Sequence, residues 1–384
     1  MKFVLSFWFL IILYVTSPAQ IITAKITDSK TTKPVALASI LTSSGQVIAF
    51  SNDDGTFVLR GFRDTGHVTI SCLGYNTLFT SVNSLKRDSI IKLTPAIYTL
   101  PPVFVGDYAA SLLKKTFLKA DSASKNYFFG KGFDLQLFWW NNQPSECYEF
   151  LQNVKLNNEE VLAGEMISAR HGLLPDPDLD STSLIEDMRQ IALQTAWFKG
   201  LKEIDKWIKE NDFRVDQVIP SDKGEIVKIH FAPKRQNKRF TTEGYYFINT
   251  HTYSISRYET TSLIAKISIP FIIKIYGLEG QLIQNFTEYG GDAILANASF
   301  SIKAIFARKH GKTRDTVQYL DHFYITHVVP WNDHIVFHPD DIRKNNGKLL
   351  KKYPGVIPDA SIPVVLSDQE KGFLEYMDKH HGFK

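Results

Sequence analysis

From residue 20 to about residue 93 the side chains exchange apolar for polar at every second position, and turn chemistry interrupts the exchange every eight to twelve residues. Ile22, Ala24 and Ile26 alternate with Thr23, Lys25 and Thr27; Phe57 and Leu59 alternate with Thr56 and Val58; Val68, Ile70 and Cys72 alternate with Thr69, Ser71 and Leu73. A period of two places one set on a single face of a pleated strand, and a helix cannot do that. Ser43-Ser44-Gly45, Asn52-Asp53-Asp54-Gly55 and Asp64-Thr65-Gly66 separate the runs. Short strands at this spacing predict a seven-stranded antiparallel β-sandwich over residues 20–94.

Four pieces of this region carry a resemblance: Ala24-Lys25-Ile26-Thr27-Asp28, Pro34 to Ile40, Asn52-Asp53-Asp54-Gly55-Thr56-Phe57, and Ile70 to Tyr75 with its Gly74-Tyr75 pair. In this order they resemble the carboxypeptidase regulatory-like domain. That family is a transthyretin-like sandwich, common at the start of exported proteins in Gram-negative bacteria rich in outer-membrane uptake receptors. The resemblance implies the fold and no peptidase activity. Where the family usually has Gly before the first strand, this chain has Ile22 or Thr23. Gly55 is expected to supply the positive φ that closes a hairpin, and Gly74 to release its strand so that Tyr75 folds back on the sandwich.

Upstream, Met1-Lys2 gives a positive start, and Phe3 to Val15 is apolar apart from Ser6. Ser17 and Ala19 occupy the small-x-small positions of a cleavage site, which predicts a signal peptide over residues 1–19 cut between Ala19 and Gln20. The expected location is the periplasm or cell envelope. No Cys stands at the cut to take a lipid anchor. Ile264 to Tyr276, the longest later apolar stretch, is broken by Lys266, Pro270 and Lys274, so no transmembrane segment is expected after the leader. A formal charge of +4 is too small to point to nucleic acid as a partner.

Pro95, Pro101 and Pro102 make residues 95–106 an extended linker. Beyond it, residues 107–330 read as an α+β domain. Asp107 is placed to cap a helix with the stripe Ala109, Leu112, Leu113, Phe117 and Ala120, and with Lys114, Lys115 and Lys119 facing solvent. This helix and the strand after Ser145 are similar to the segment that follows the sandwich in other exported proteins of such bacteria. Strands are expected over 133–140 and 148–155. A helical pair follows, opened by the capping box Ser183/Glu186 and continued after Gly200. Alternation then resumes over 225–233, 243–248, 253–260, 281–288, 299–308 and 319–327, predicting one curved antiparallel sheet. Gly244 to Ile248 with Thr252 to Ile255 is similar to the paired strands of lipoprotein-carrier half-barrels. Residues 331–384 read as a loop-rich, charged tail.

The chemistry-bearing motifs are incomplete. No histidine begins H-x-x-E or H-E-x-x-H. Ser111/Lys114 and Ser122/Lys125 fit S-x-x-K, with Lys312-Thr313 downstream, but no S-D-N element lies between them. Asp176, Asp178, Asp180 and Asp187 have calcium-loop spacing, yet Ser181 stands where that loop needs Gly. His322, His327, His334 and His338, with Asp321, Asp333, Asp340 and Asp341, form the densest group of possible metal ligands. Cys72 and Cys147 fall in different modules and are read as buried small hydrophobes rather than a bridge. Trp139 and Trp140 must face opposite sides of a strand.

No catalytic, cofactor-binding or metal residue is assigned, and no cofactor is expected. The main reading is a non-catalytic envelope binding or scaffolding protein whose partner is another envelope protein. A lipid or lipoprotein carrier, with Ile267–Ile275 lining an apolar pocket, and a hydrolase with an unfamiliar site are the alternatives.

Overall fold

A computed structural model of the chain describes residues 21–60, 66–96, 107–174, 200–222, 224–235, 240–264, 267–269, 273–308, 314–339, 352–353, 355, 357–358 and 361–383. The expected leader and its cleavage point, the Asp176–Asp187 stretch with the Ser183/Glu186 capping box, Lys312-Thr313, and Asp340 and Asp341 of the histidine-rich group lie outside these residues. Among the described residues the fold is mainly β, with a few helices and a large antiparallel sheet.

The amino-terminal module stacks two sheets. One has the order β4 (Thr56–Arg60), β1 (Ile21–Asp28), β7 (Ile90–Leu93). The other has the order β3 (Val47–Phe50), β2 (Ser39–Thr42), β5 (His67–Ser71), β6 (Leu78–Ser81). The seven strands match the alternation, and Ile26, Ile40, Phe57 and Ile70 meet fully buried between the layers. The pair β1–β7 runs parallel rather than antiparallel. The chain reaches β7 through a six-residue helix, α1 (Val82–Arg87), capped by the Ser81 hydroxyl. Six residues are too few to show a helical period in the sequence. Gly55 has the expected positive φ, +82°, but its turn carries the chain from one sheet to the other rather than closing a hairpin, since β3 pairs with β2 and β4 with β1. Tyr75 folds back to donate its hydroxyl to Asp28 Oδ2 at 3.1 Å.

Helix α2 (Tyr108–Ala123) buries Ala109, Leu112, Leu113, Phe117 and Ala120. The Asp107 side chain makes no capping hydrogen bond, because its backbone carbonyl alone receives the helix, from Ser111 N–H. Lys119 is not solvated either. Its ammonium donates to Thr252 O, Ser254 Oγ and Gly291 O, pinning the helix to two hairpins. Helix α3 (Leu201–Glu210) packs beside it.

The large sheet runs in the order β10 (Val161–Leu173), β9 (Gln143–Leu156), β8 (Phe128–Trp140), β18 (Asp315–Pro330), β17 (Asp292–Arg308), β16 (Ile273–Tyr289), β14 (Ile255–Ile264), β13 (Phe240–Asn249), β12 (Gly224–Pro233), β11 (Asn211–Ser221), with β15 (Ile267–Ile269) paired to β16. Every neighbouring pair is antiparallel. Phe150 of β9, Phe300 of β17 and Phe231 of β12 belong to one buried cluster with Phe117 of α2. Strands so far apart in the order can share one cluster only if the sheet bends around the helix. β10 was not legible from alternation: two register shifts, after Val161 and after Met166, break its period.

The carboxy-terminal segment is more than loop. Helix α4 (Asp368–Lys379) starts with a complete capping box in which Ser367 Oγ accepts from Glu370 N–H and Glu370 Oε2 accepts from Ser367 N–H. Its Phe373 and Met377 join Phe133, Leu135, Leu137 and Tyr324 of the sheet and Val47 and Phe50 of the sandwich in one core. Val364 bridges to Phe50, and Phe383 to Gly172. The tail therefore bridges to one edge strand in each of two sheets, β3 and β10, a way of covering open edges. Of the 95–106 linker, Pro95 bridges to Tyr75, and Ala96 is buried with Ile219, Ile226 and Phe247.

Candidate functional site

The face of the large sheet toward α2 has two halves. On β11 to β14, Phe231, Tyr246 and Tyr258 are stacked and tilted on one another and on Phe117, with Trp207 of α3 against Phe231. This half is packed core. Burial pushes the hydroxyls of both Tyr246 and Tyr258 well up.

On β10, β9, β8 and β18 a row of polar side chains crosses the same face beside Phe138 and Phe150 of the core. Register places His171, Tyr148, Gln136 and Asp321 side by side across the four strands. Glu146 and Asp134 lie on the same face, one pleat to either side, and Tyr319 lies beside Asp321. All except His171 are at most 3% exposed. Tyr148 Oη donates to Glu146 Oε1 at 2.5 Å, the His171 ring nitrogen Nε2 meets the same oxygen at 2.8 Å, and the two rings stack at 4.4 Å. Gln136 donates to Asp134 at 3.2 Å, and Tyr319 Oη to Asp321 Oδ2 at 3.1 Å. Burying carboxylates is costly unless each is hydrogen-bonded, and this seam answers the demand with side-chain donors from its own strands. Chemically it can orient an imidazole on a carboxylate. Sequence reading missed it, because Asp134, Gln136, Glu146 and Asp321 are scattered polar letters inside apolar strands until register aligns them.

The residues singled out from sequence are separated. His322 faces the opposite side of β18 from Asp321, with Nδ1 at 2.9 Å from Glu370 Oε1. His327 meets Thr326 Oγ1 at 3.0 Å, and His334 and His338 lie in the segment after β18. Among the described residues no three His, Cys, Asp or Glu come close enough to hold a metal ion. Lys114 pairs with Asp205 of α3 at 2.9 Å rather than with Ser111, and Ser122 donates to Lys119 O. Both cysteines are free. Trp140 joins the core under α2, while Trp139 points the other way, 4.8 Å from the Phe373 ring. Within Ile267–Ile275 the short hairpin β15–β16 forms. No described helix is long and apolar enough to cross a membrane.

No family model matches the sequence, and no curated protein matches it. Among solved structures, a DUF1329 family protein from Desulfovibrio piger is 8% identical over 59% of this chain and 95% of its own, at a TM-score of 0.27. The Rhodopseudomonas blastica porin is 7% identical over 52% of this chain and 99% of its own, at a TM-score of 0.11. Likenesses this slight carry no argument about this chain.

Proposed function

We propose that this is a non-catalytic binding or scaffolding protein of the cell envelope, exported behind its first nineteen residues. In this reading residues 20–94 are a carboxypeptidase regulatory-like module. The two stacked sheets, the positive φ of Gly55 and the return of Tyr75 support that assignment. Export is supported by the positive start, the apolar run and the small residues before Gln20, with β1 beginning one residue later.

The observation that carries the binding role is the contrast between sheet edges. The tail occupies the edges at β3 and β10, while β6 ends its sheet with Phe79 74% exposed. An edge strand beside an exposed aromatic side chain is the surface that strand addition by a partner uses. The packing of Phe117, Phe231, Tyr246 and Tyr258 favours this reading over a carrier, since that half of the interior is already filled.

A photoreactive residue in place of the exposed Asn76, just before β6, should capture one stable envelope partner in cells, and adding Phe79→Lys should abolish the capture without lowering the amount of folded chain. Recovery of the uncrosslinked chain alone would overturn the reading. The mass of the purified protein should correspond to a chain beginning at Gln20.

A further inference from the structure

A cleft of about 300 Å³ opens where the sandwich, the large sheet and the tail meet. The sandwich contributes Ile48, Val58, Leu59 and Arg60, the tail Ser361 to Pro363, and the sheet's face away from α2 the rest. Val58, Leu151 and Ile167 supply its apolar wall, and among the described residues that line it the charged groups are cationic: Arg60 and Lys131, with His327 beside them. The nearest acid in the strand row of Lys131 is Glu165, two strands away and already held by Asn153 Nδ2 at 2.9 Å and by His338 N–H at 3.2 Å. Arg60 donates to Ile362 O, which fixes its guanidinium at the wall.

Two irregularities aim side chains at this space. A register shift in β18 between Thr326 and Val329 frees His327, whose φ is +54°, and a shift in β10 between Met166 and Ser168 frees Ile167, which is 49% exposed. Bulges re-aim side chains and gather beside functional sites, and a non-glycine residue held at positive φ stores strain that the rest of the fold must sustain. Here two bulges on different strands converge on one cleft. Burial in the cleft, and then the nearby Lys131 charge, hold His327 below the usual imidazole range.

We propose that this cleft binds an anionic amphiphile, its carboxylate or phosphate head held by Arg60 and Lys131 and its apolar tail lying along Val58, Leu151 and Ile167. Cavities of this size at module junctions, mostly apolar with a few placed polar groups, are where small ligands bind. Cations without a carboxylate partner in an apolar cleft select a charge of opposite sign. The proposal goes beyond the scaffold reading and does not depend on a protein partner at β6.

Calorimetric titration of the full mature chain with dodecanoate, dodecyl phosphate, dodecanol and inorganic phosphate tests it. Either or both of the two anionic amphiphiles should saturate at one per chain, the better one identifying the head group, with dodecanol and inorganic phosphate each weaker by roughly tenfold or more. Lys131→Gln, an exposed substitution that spares the core, should weaken the amphiphile by roughly tenfold, and Ile167→Ser should weaken it by several fold, with unchanged melting temperatures as the control for folding. Equal binding of dodecanol, undiminished binding by both variants, or no saturable binding of either anion would overturn the proposal. Inorganic phosphate as tight as dodecyl phosphate would remove the apolar half of it.

Discussion

Two glycines with nearly the same backbone angle should tolerate substitution very differently. Gly45 has φ +81° and open space where a Cβ would go, whereas a Cβ on Gly55, φ +82°, would stand 2.3 Å from Ile26 O. Gly45→Ala should cost about 1 kcal/mol, the left-handed penalty alone. Gly55→Ala adds a collision with backbone and should cost roughly 3 kcal/mol or more, read from urea midpoints. The thiols give a second test. Burial pushes Cys147 up to about 12 and Cys72 up to about 11, so neither is a thiolate near neutral pH. Alkylation should be slow in the native protein and fast once it is unfolded. A third concerns Glu370. Burial alone would raise its carboxyl, but the His322 hydrogen bond and charge, with the Ser367 donors, hold it below the ordinary range. A carboxyl depressed by folding stabilises the fold above its unfolded value, and that stability drains away as pH falls through the folded value. Protection of α4 amides from exchange should therefore fall between neutral and acid pH, and Glu370→Gln should flatten that dependence.

At the scale of elements, the tail helix is the part whose importance exceeds its sequence signal. Phe373 and Met377 are at most 2% exposed, seated between sheet and sandwich. Phe373→Ala should cost about 3 kcal/mol by the usual large-to-small arithmetic, measured by chemical denaturation. The strands were legible where burial is one-sided. Phe57 and Leu59 are buried and alternate with the half-buried Thr56, Val58 and Arg60 because only one face of β4 meets a core. β8 and β10 were misjudged for opposite reasons. β8 is buried on both faces over most of its length, so its apolar run hides both its true start at Phe128 and the role of Asp134 and Gln136. In β10 the bulges shift the period partway along, and a period read over a short window then vanishes.

For the whole molecule, the shared core of Val47, Phe50, Tyr324 and Phe373 predicts that sandwich and sheet unfold together. After residue 19 every tryptophan lies outside the sandwich. Phe50→Ala, a sandwich substitution, should nonetheless lower the midpoint of the tryptophan fluorescence transition, by about 3 kcal/mol in stability. An unchanged transition would show the modules to be independent. By itself, the sequence determined the strand period, the glycine turns and the apolar stripe of α2, because each depends on residues a few positions apart and on local backbone sterics. Tertiary structure alone decided three other features: the polar seam under α2, the junction cleft, and the tail that bridges to the edge strands β3 and β10. Each joins residues hundreds of positions apart through strand register, and register is set by the packing of the whole sheet rather than by any window of sequence.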